Sequence, residues 1–89
     1  MNIAKQVRYS GRVQGVGFRY TALHVAQRFA VTGYVRNLPG GDVELVAEGA
    51  ADQVDAFLTA LAQRLARNID KITVREETPH GCHGFEIRY

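Results

Sequence analysis

Apolar and polar residues alternate along most of this 89-residue chain, and the alternation is interrupted twice by stretches of helical spacing. A period of two puts successive side chains on opposite faces of a strand, whereas apolar residues recurring every three to four positions line one side of a helix. From Gln6 to Val13, the residues Val7, Tyr9, Gly11 and Val13 fall on one face and Gln6, Arg8, Ser10 and Arg12 on the other. Helical spacing takes over from about Phe18 to Ala30, where Ala22, Val25, Ala26 and Phe29 form a stripe. Val31 to Leu38 alternates again, and Pro39-Gly40-Gly41 predicts a turn. On the next strand Val43, Leu45 and Ala47 face inward, with Glu44, Val46 and Glu48 outward, and Gly49 ends it. Asp52 is the expected N-cap of a second helix carrying Val54, Phe57, Leu58, Leu61 and Leu65 on one stripe. Ile72 and Val74 mark a fourth strand, and Phe85, Ile87 and Tyr89 alternate with Glu86 and Arg88 in a short final one. The order βαββαβ plus a short extra C-terminal strand predicts an α+β, ferredoxin-like sandwich. It has two split βαβ units, a largely antiparallel sheet and both helices on one face. Strands covered on both faces would read as continuous apolar runs instead.

At 46% apolar and 22% charged residues, the chain has the composition of a folded domain rather than a disordered one. Its length predicts a single domain over residues 1–89. Cys82 is the only cysteine, so no internal disulfide forms. The start Met-Asn-Ile-Ala-Lys-Gln lacks the apolar region of a secretory signal, and no run approaches the ~18 apolar residues of a membrane span. The expectation is a cytoplasmic monomer away from membranes. Net charge is only +2, yet residues 1–41 hold Lys5, Arg8, Arg12, Arg19, Arg28 and Arg36 and no acid. Either this basic half attracts anions, or the two halves interleave in the fold and the asymmetry cancels.

Between the first strand and the first helix lies Gly11-Arg12-Val13-Gln14-Gly15-Val16-Gly17-Phe18-Arg19. Glycine lets the backbone take positive φ and approach a ligand closely. A helix start adds unpaired N–H groups and a partial positive charge, and Arg19 adds a guanidinium fork suited to phosphate. The loop therefore reads as a phosphoryl-binding turn. It is not a Walker A sequence, because no Gly-Lys-Ser/Thr follows. Nor is it a dinucleotide fingerprint, because the glycine spacing differs and no acid lies within the next 20 residues. Asn37, near the end of the second strand, has the parity of the helix-covered face. Two roles fit it: capping the following turn, or holding a water or a substrate oxygen. Spacing places no Ser-His-Asp grouping and no carboxylate pair. His80-Gly81-Cys82-His83 offers two histidines and a cysteine, short of a closed metal site, so no metal is expected.

The loop Gly11 to Arg19 resembles the signature of the acylphosphatase family, and Gly33-Tyr34-Val35-Arg36-Asn37 resembles that family's second motif. Val43-Glu44, Ala47-Glu48-Gly49 and the closing Phe85-Glu86-Ile87-Arg88-Tyr89 are similar to family sequence as well, so the likeness spans nearly the whole chain. Pro39-Gly40-Gly41-Asp42 and segment 79–84 depart from it. The same family also occurs as domains of larger hydrogenase-maturation carbamoyltransferases, where a proline tends to follow the arginine; here Tyr20 does. The resemblance implies a hydrolase that cleaves acyl phosphates to a carboxylate and inorganic phosphate. It assigns phosphate binding to Arg19 and to the backbone amides of Gln14, Gly15, Val16, Gly17 and Phe18, and water positioning to Asn37. It implies no cofactor, with the substrate's own phosphate taking the proton from water.

Two other classes share the predicted topology. RNA-recognition domains stack bases on aromatic residues of the open sheet face, but here only Tyr34 falls there, beside Glu44 and Glu48, and no nucleic-acid partner is expected. A domain that binds an anion without turnover would use the same loop and the same arginine.

Overall fold

The computed structural model describes residues 2–89. Its elements are β1 (Asn2–Gly11), α1 (Phe18–Ala26), β2 (Val31–Asn37), β3 (Val43–Ala50), α2 (Ala51–Arg64), β4 (Ile69–Glu77) and β5 (Phe85–Arg88). They form one sheet of order β4-β1-β3-β2-β5. β1 pairs antiparallel with β3 and β4, β2 antiparallel with β3, and β2 parallel with β5. This is the predicted ferredoxin-like sandwich with its extra C-terminal strand.

Both helices cover the same face. Phe18, Ala22, Val25 and Ala26 of α1 and Val54, Phe57 and Leu61 of α2 pack with Val7, Tyr9, Val35, Val43, Leu45 and Ala47 of the sheet in one core. Phe57 sits at the centre, fully buried, with its ring 5.4 Å from Phe85 and 6.2 Å from Phe29. Burying such a ring contributes about 2–3 kcal/mol, which ties α2 to the last strand.

Four local expectations change. β1 starts at Asn2 rather than Gln6, because its ladder with β3 begins at Asn2 opposite Ala50. It ends at Gly11, where its register with β4 shifts, and the Arg12 N–H instead donates to Asn68 O at 2.9 Å. α1 ends at Ala26, not Ala30. Arg28 and Phe29 donate to the carbonyls three residues back, a tightening that closes the helix while keeping Phe29 against the core. Asp52 is not the N-cap of α2. Strand β3 runs directly into the helix, so Ala50 takes the cap position with no side-chain hydrogen bond, and Asp52 acts from the first turn through the helix dipole. Finally, Glu44, Val46 and Glu48 lie on the open side of the sheet but are buried. Gln6, Tyr34 and Arg36 close over Glu44, and the segment 80–82 closes over Glu48.

Candidate active site

Val13 and Phe18 fix the two ends of the glycine-rich loop. Both are buried, and the Phe18 ring lies 4.9 Å from that of Tyr9 on β1. Between these anchors the chain turns through Gly15 and Gly17, each at φ +77°, a conformation that side-chain-bearing residues rarely hold. Gly17 is the N-cap of α1, and a glycine cannot cap with a side chain. The first helical bond runs from Thr21 N–H to Gly17 O at 2.9 Å. The N–H groups of Phe18, Arg19 and Tyr20 therefore lack helical acceptors, and no acidic residue occupies the first turn. This end of α1 carries uncompensated positive potential.

That end opens onto a cavity of about 270 Å³ lined by Val13, Gly15, Gly17, Phe18, Arg19, Tyr20 and Asn37. Arg19 and Asn37, 18 positions apart in the chain, thus face one space. Gln14 and Val16 belong to the same loop but do not line the cavity: Val16 projects into solvent, and the Gln14 side chain turns toward the β2–β3 hairpin. Among the described residues no carboxylate pairs with Arg19; its guanidinium instead lies 4.9 Å from the Tyr89 ring centre. Tyr20 and Tyr89 were not singled out by sequence as site residues. The signal available for Tyr20 was its adjacency to Arg19; nothing local marked Tyr89.

The hairpin turn is closed by Leu38 N–H to Asp42 O (2.8 Å) and Gly41 N–H to Leu38 O (3.3 Å). Gln14 Nε2 donates to both of those carbonyls at 2.8 Å. The turn is complete without the Asn37 amide, which is half-exposed at the cavity wall.

The charge asymmetry cancels only in part. Lys5 pairs with Asp55 at 2.9 Å, Arg8 with Asp42 at 2.7 Å and Arg36 with Glu44 at 2.7 Å, so half of the basic residues of positions 1–41 meet acids of the second half. A wider hollow on the open sheet face, lined by Gln6, Arg8, Glu44, Thr73 and Arg75, draws on those same pairs and offers no helix end. In the histidine–cysteine segment the N–H groups of His80, Gly81 and Cys82 donate to the Glu48 carboxylate at 2.6, 3.1 and 3.1 Å. Burial alone would raise the Glu48 pKa; the three N–H donors together with the Cys82 thiol outweigh it and hold the carboxyl below the usual glutamate range. Among the described residues, no three His, Cys, Asp or Glu side chains converge as a metal site, and no helix is long and apolar enough to cross a membrane.

Residues 5–87 match the acylphosphatase family model. The chain is 44% identical over 87 residues to an acylphosphatase of Trichormus variabilis, covering 97% of this chain and 86% of that one. It is 41% identical over 87 residues to one from Thermococcus kodakarensis, covering 96% and 94%. Its fold superposes on the crystal structure of acylphosphatase from Bacillus subtilis with a TM-score of 0.87 at 32% identity, over 98% of this chain and 99% of that one. With this likeness along nearly its whole length, the chain belongs to the acylphosphatase family of enzymes.

Proposed function

We propose that the chain hydrolyses acyl phosphates, holding the phosphoryl group on the Gln14–Phe18 loop amides and the Arg19 fork while Asn37 positions the attacking water. The observation that carries this reading is the shared cavity: an uncapped helix start, a guanidinium with no carboxylate partner among the described residues and an amide not needed by its turn all border one space. Loop N–H groups and a bidentate arginine together provide the donors that a dianionic phosphoryl group requires.

In the reaction the water oxygen forms a bond to phosphorus as the acyl oxygen–phosphorus bond breaks. The carboxylate departs with the bonding electron pair, and the water's proton passes to a phosphoryl oxygen. The products are a carboxylate and dihydrogen phosphate, so atoms and charge balance. The transition state is loose, with charge spread over the equatorial oxygens, so catalysis rests on positioning and electrostatic stabilisation. A carboxylate is a good leaving group and asks for little acid assistance, which accords with a cavity lined by no histidine or carboxylate among the described residues. The open sheet face supports a small-molecule rather than an RNA ligand: the Tyr34 ring is already covered by the Arg88 guanidinium at 4.0 Å, and its hydroxyl is directed to Glu44.

The test is phosphate release from acetyl phosphate and benzoyl phosphate with a chelator present. Turnover is expected, and Asn37→Ala should cut kcat strongly while inhibition by inorganic phosphate persists. A wild-type chain that binds phosphate but releases none from either substrate would instead be an anion-binding module.

A further inference from the structure

We propose that the Gln14 side chain is a positioning residue: it fixes the distance between the phosphate-holding loop and Asn37. This rests on the acyl phosphate reading above. The loop and Asn37 come from different elements, the loop from the β1–α1 connection and Asn37 from the end of β2. Gln14 joins them. Its Nε2 has two N–H groups, and both are used, one on Leu38 O and one on Asp42 O, each at 2.8 Å. Leu38 directly follows Asn37, and Asp42 directly precedes Val43, the residue opposite Asn37 in the β2–β3 ladder. One amide therefore grips both strands of the hairpin at the level of Asn37. These are the only side-chain hydrogen bonds between the loop and the hairpin among the described residues. Gln14 is absent from the cavity lining, so it acts through the placement of other groups rather than by touching substrate.

The consequence is a split between phosphate binding and turnover. The loop's own backbone and Arg19 hold phosphate within one segment, whereas attack also needs the water on Asn37 at the correct distance, and displacements near 1 Å cost on the order of 10²-fold. Gln14→Glu keeps the shape, but its carboxylate has no N–H and sets oxygen against two carbonyl oxygens. Its kcat for benzoyl phosphate should fall by roughly 10- to 100-fold at neutral pH, a larger factor than the rise in the phosphate inhibition constant that the new negative charge brings. As the pH is lowered and the new carboxyl takes up a proton, it regains one donor. The variant's kcat relative to wild type at the same pH should then rise.

Melting temperature is recorded alongside. If Gln14→Glu does not fold, Gln14→Asn, one methylene too short to reach both carbonyls, is read for the same split. Wild-type kcat in the variant, or kcat and phosphate binding lost together in step with the melting temperature, would overturn the proposal while leaving the functional reading intact. Absence of turnover in the wild-type chain would overturn both.

Discussion

Arg19 leaves the first turn of α1 beside the N–H groups of its own helix start, with Tyr89 stacked near its guanidinium and no carboxylate pairing with it among the described residues. Its value lies in geometry as much as in charge. Arg19→Lys keeps the charge but loses the planar fork, so kcat/KM for benzoyl phosphate should drop at least about 10²-fold, in the range seen when one preorganised anion donor is removed. Steady-state kinetics on variants with unchanged melting temperature checks this, and near-normal turnover by the lysine variant would show that a point charge suffices. The position of Arg19 at a helix start after two glycines was legible from its neighbours alone, because glycine spacing and the onset of helical periodicity are both local signals. Asn37 was half-legible: parity gave its face but not its role. The structure adds that Gln14 and the backbone close the turn without the Asn37 amide. Alternation extends the last strand to Tyr89, but β5 ends at Arg88, and the residue's place beside Arg19, 70 positions earlier in the chain, was not legible.

At the scale of elements, β2 is squeezed between β3 and β5, and Gly33 marks where the squeeze is tightest. Its φ is +143°, and a β-carbon built there would lie 1.8 Å from the carbonyl oxygen of Val46. The clash is with backbone, which cannot swing aside as a side chain would. Gly33→Ala should therefore destabilise the fold by about 3 kcal/mol or more, adding backbone strain to overpacking. Urea denaturation would read the loss, and a variant as stable as wild type would mean that β3 yields there. Because β2 also carries Asn37, activity should fall with it. Strand and helix identities along the chain followed from periodicity, but their ends did not. α1 stops early because its last N–H groups reach back three residues, and Asp52 misses the cap because β3 passes straight into α2. Ends are set by which hydrogen bonds the neighbouring element leaves available.

Across the whole molecule, Glu48 fastens the segment before β5 to the centre of the sheet. Three consecutive N–H groups donate to its carboxylate, and burial has not cancelled their effect on its pKa. Because the folded-state pKa lies below the unfolded one, this stabilisation is complete above the ordinary glutamate range and is lost as pH falls through the folded value. Glu48→Gln should be less stable than wild type by about 1.5–3 kcal/mol at neutral pH, and the gap should narrow on acidification below the usual glutamate pKa. Unfolding free energies from urea titrations across that range would test the sign; a gap that widens in acid would contradict it. By sequence, Glu48 was an outward strand residue and His80 to His83 a loosened loop. Their meeting joins residues more than 30 positions apart, which no local pattern encodes. Periodicity and glycine placement determined the element order, the helix-covered face and the glycine turn at the start of α1, because each is dictated within a few residues by side-chain direction and backbone freedom. Only the tertiary structure decided what joins those parts: Gln14 across to the hairpin, Tyr89 onto Arg19, Glu48 under the last loop. Such contacts arise when strands distant in the chain become neighbours, and their partners are fixed by register rather than by sequence spacing.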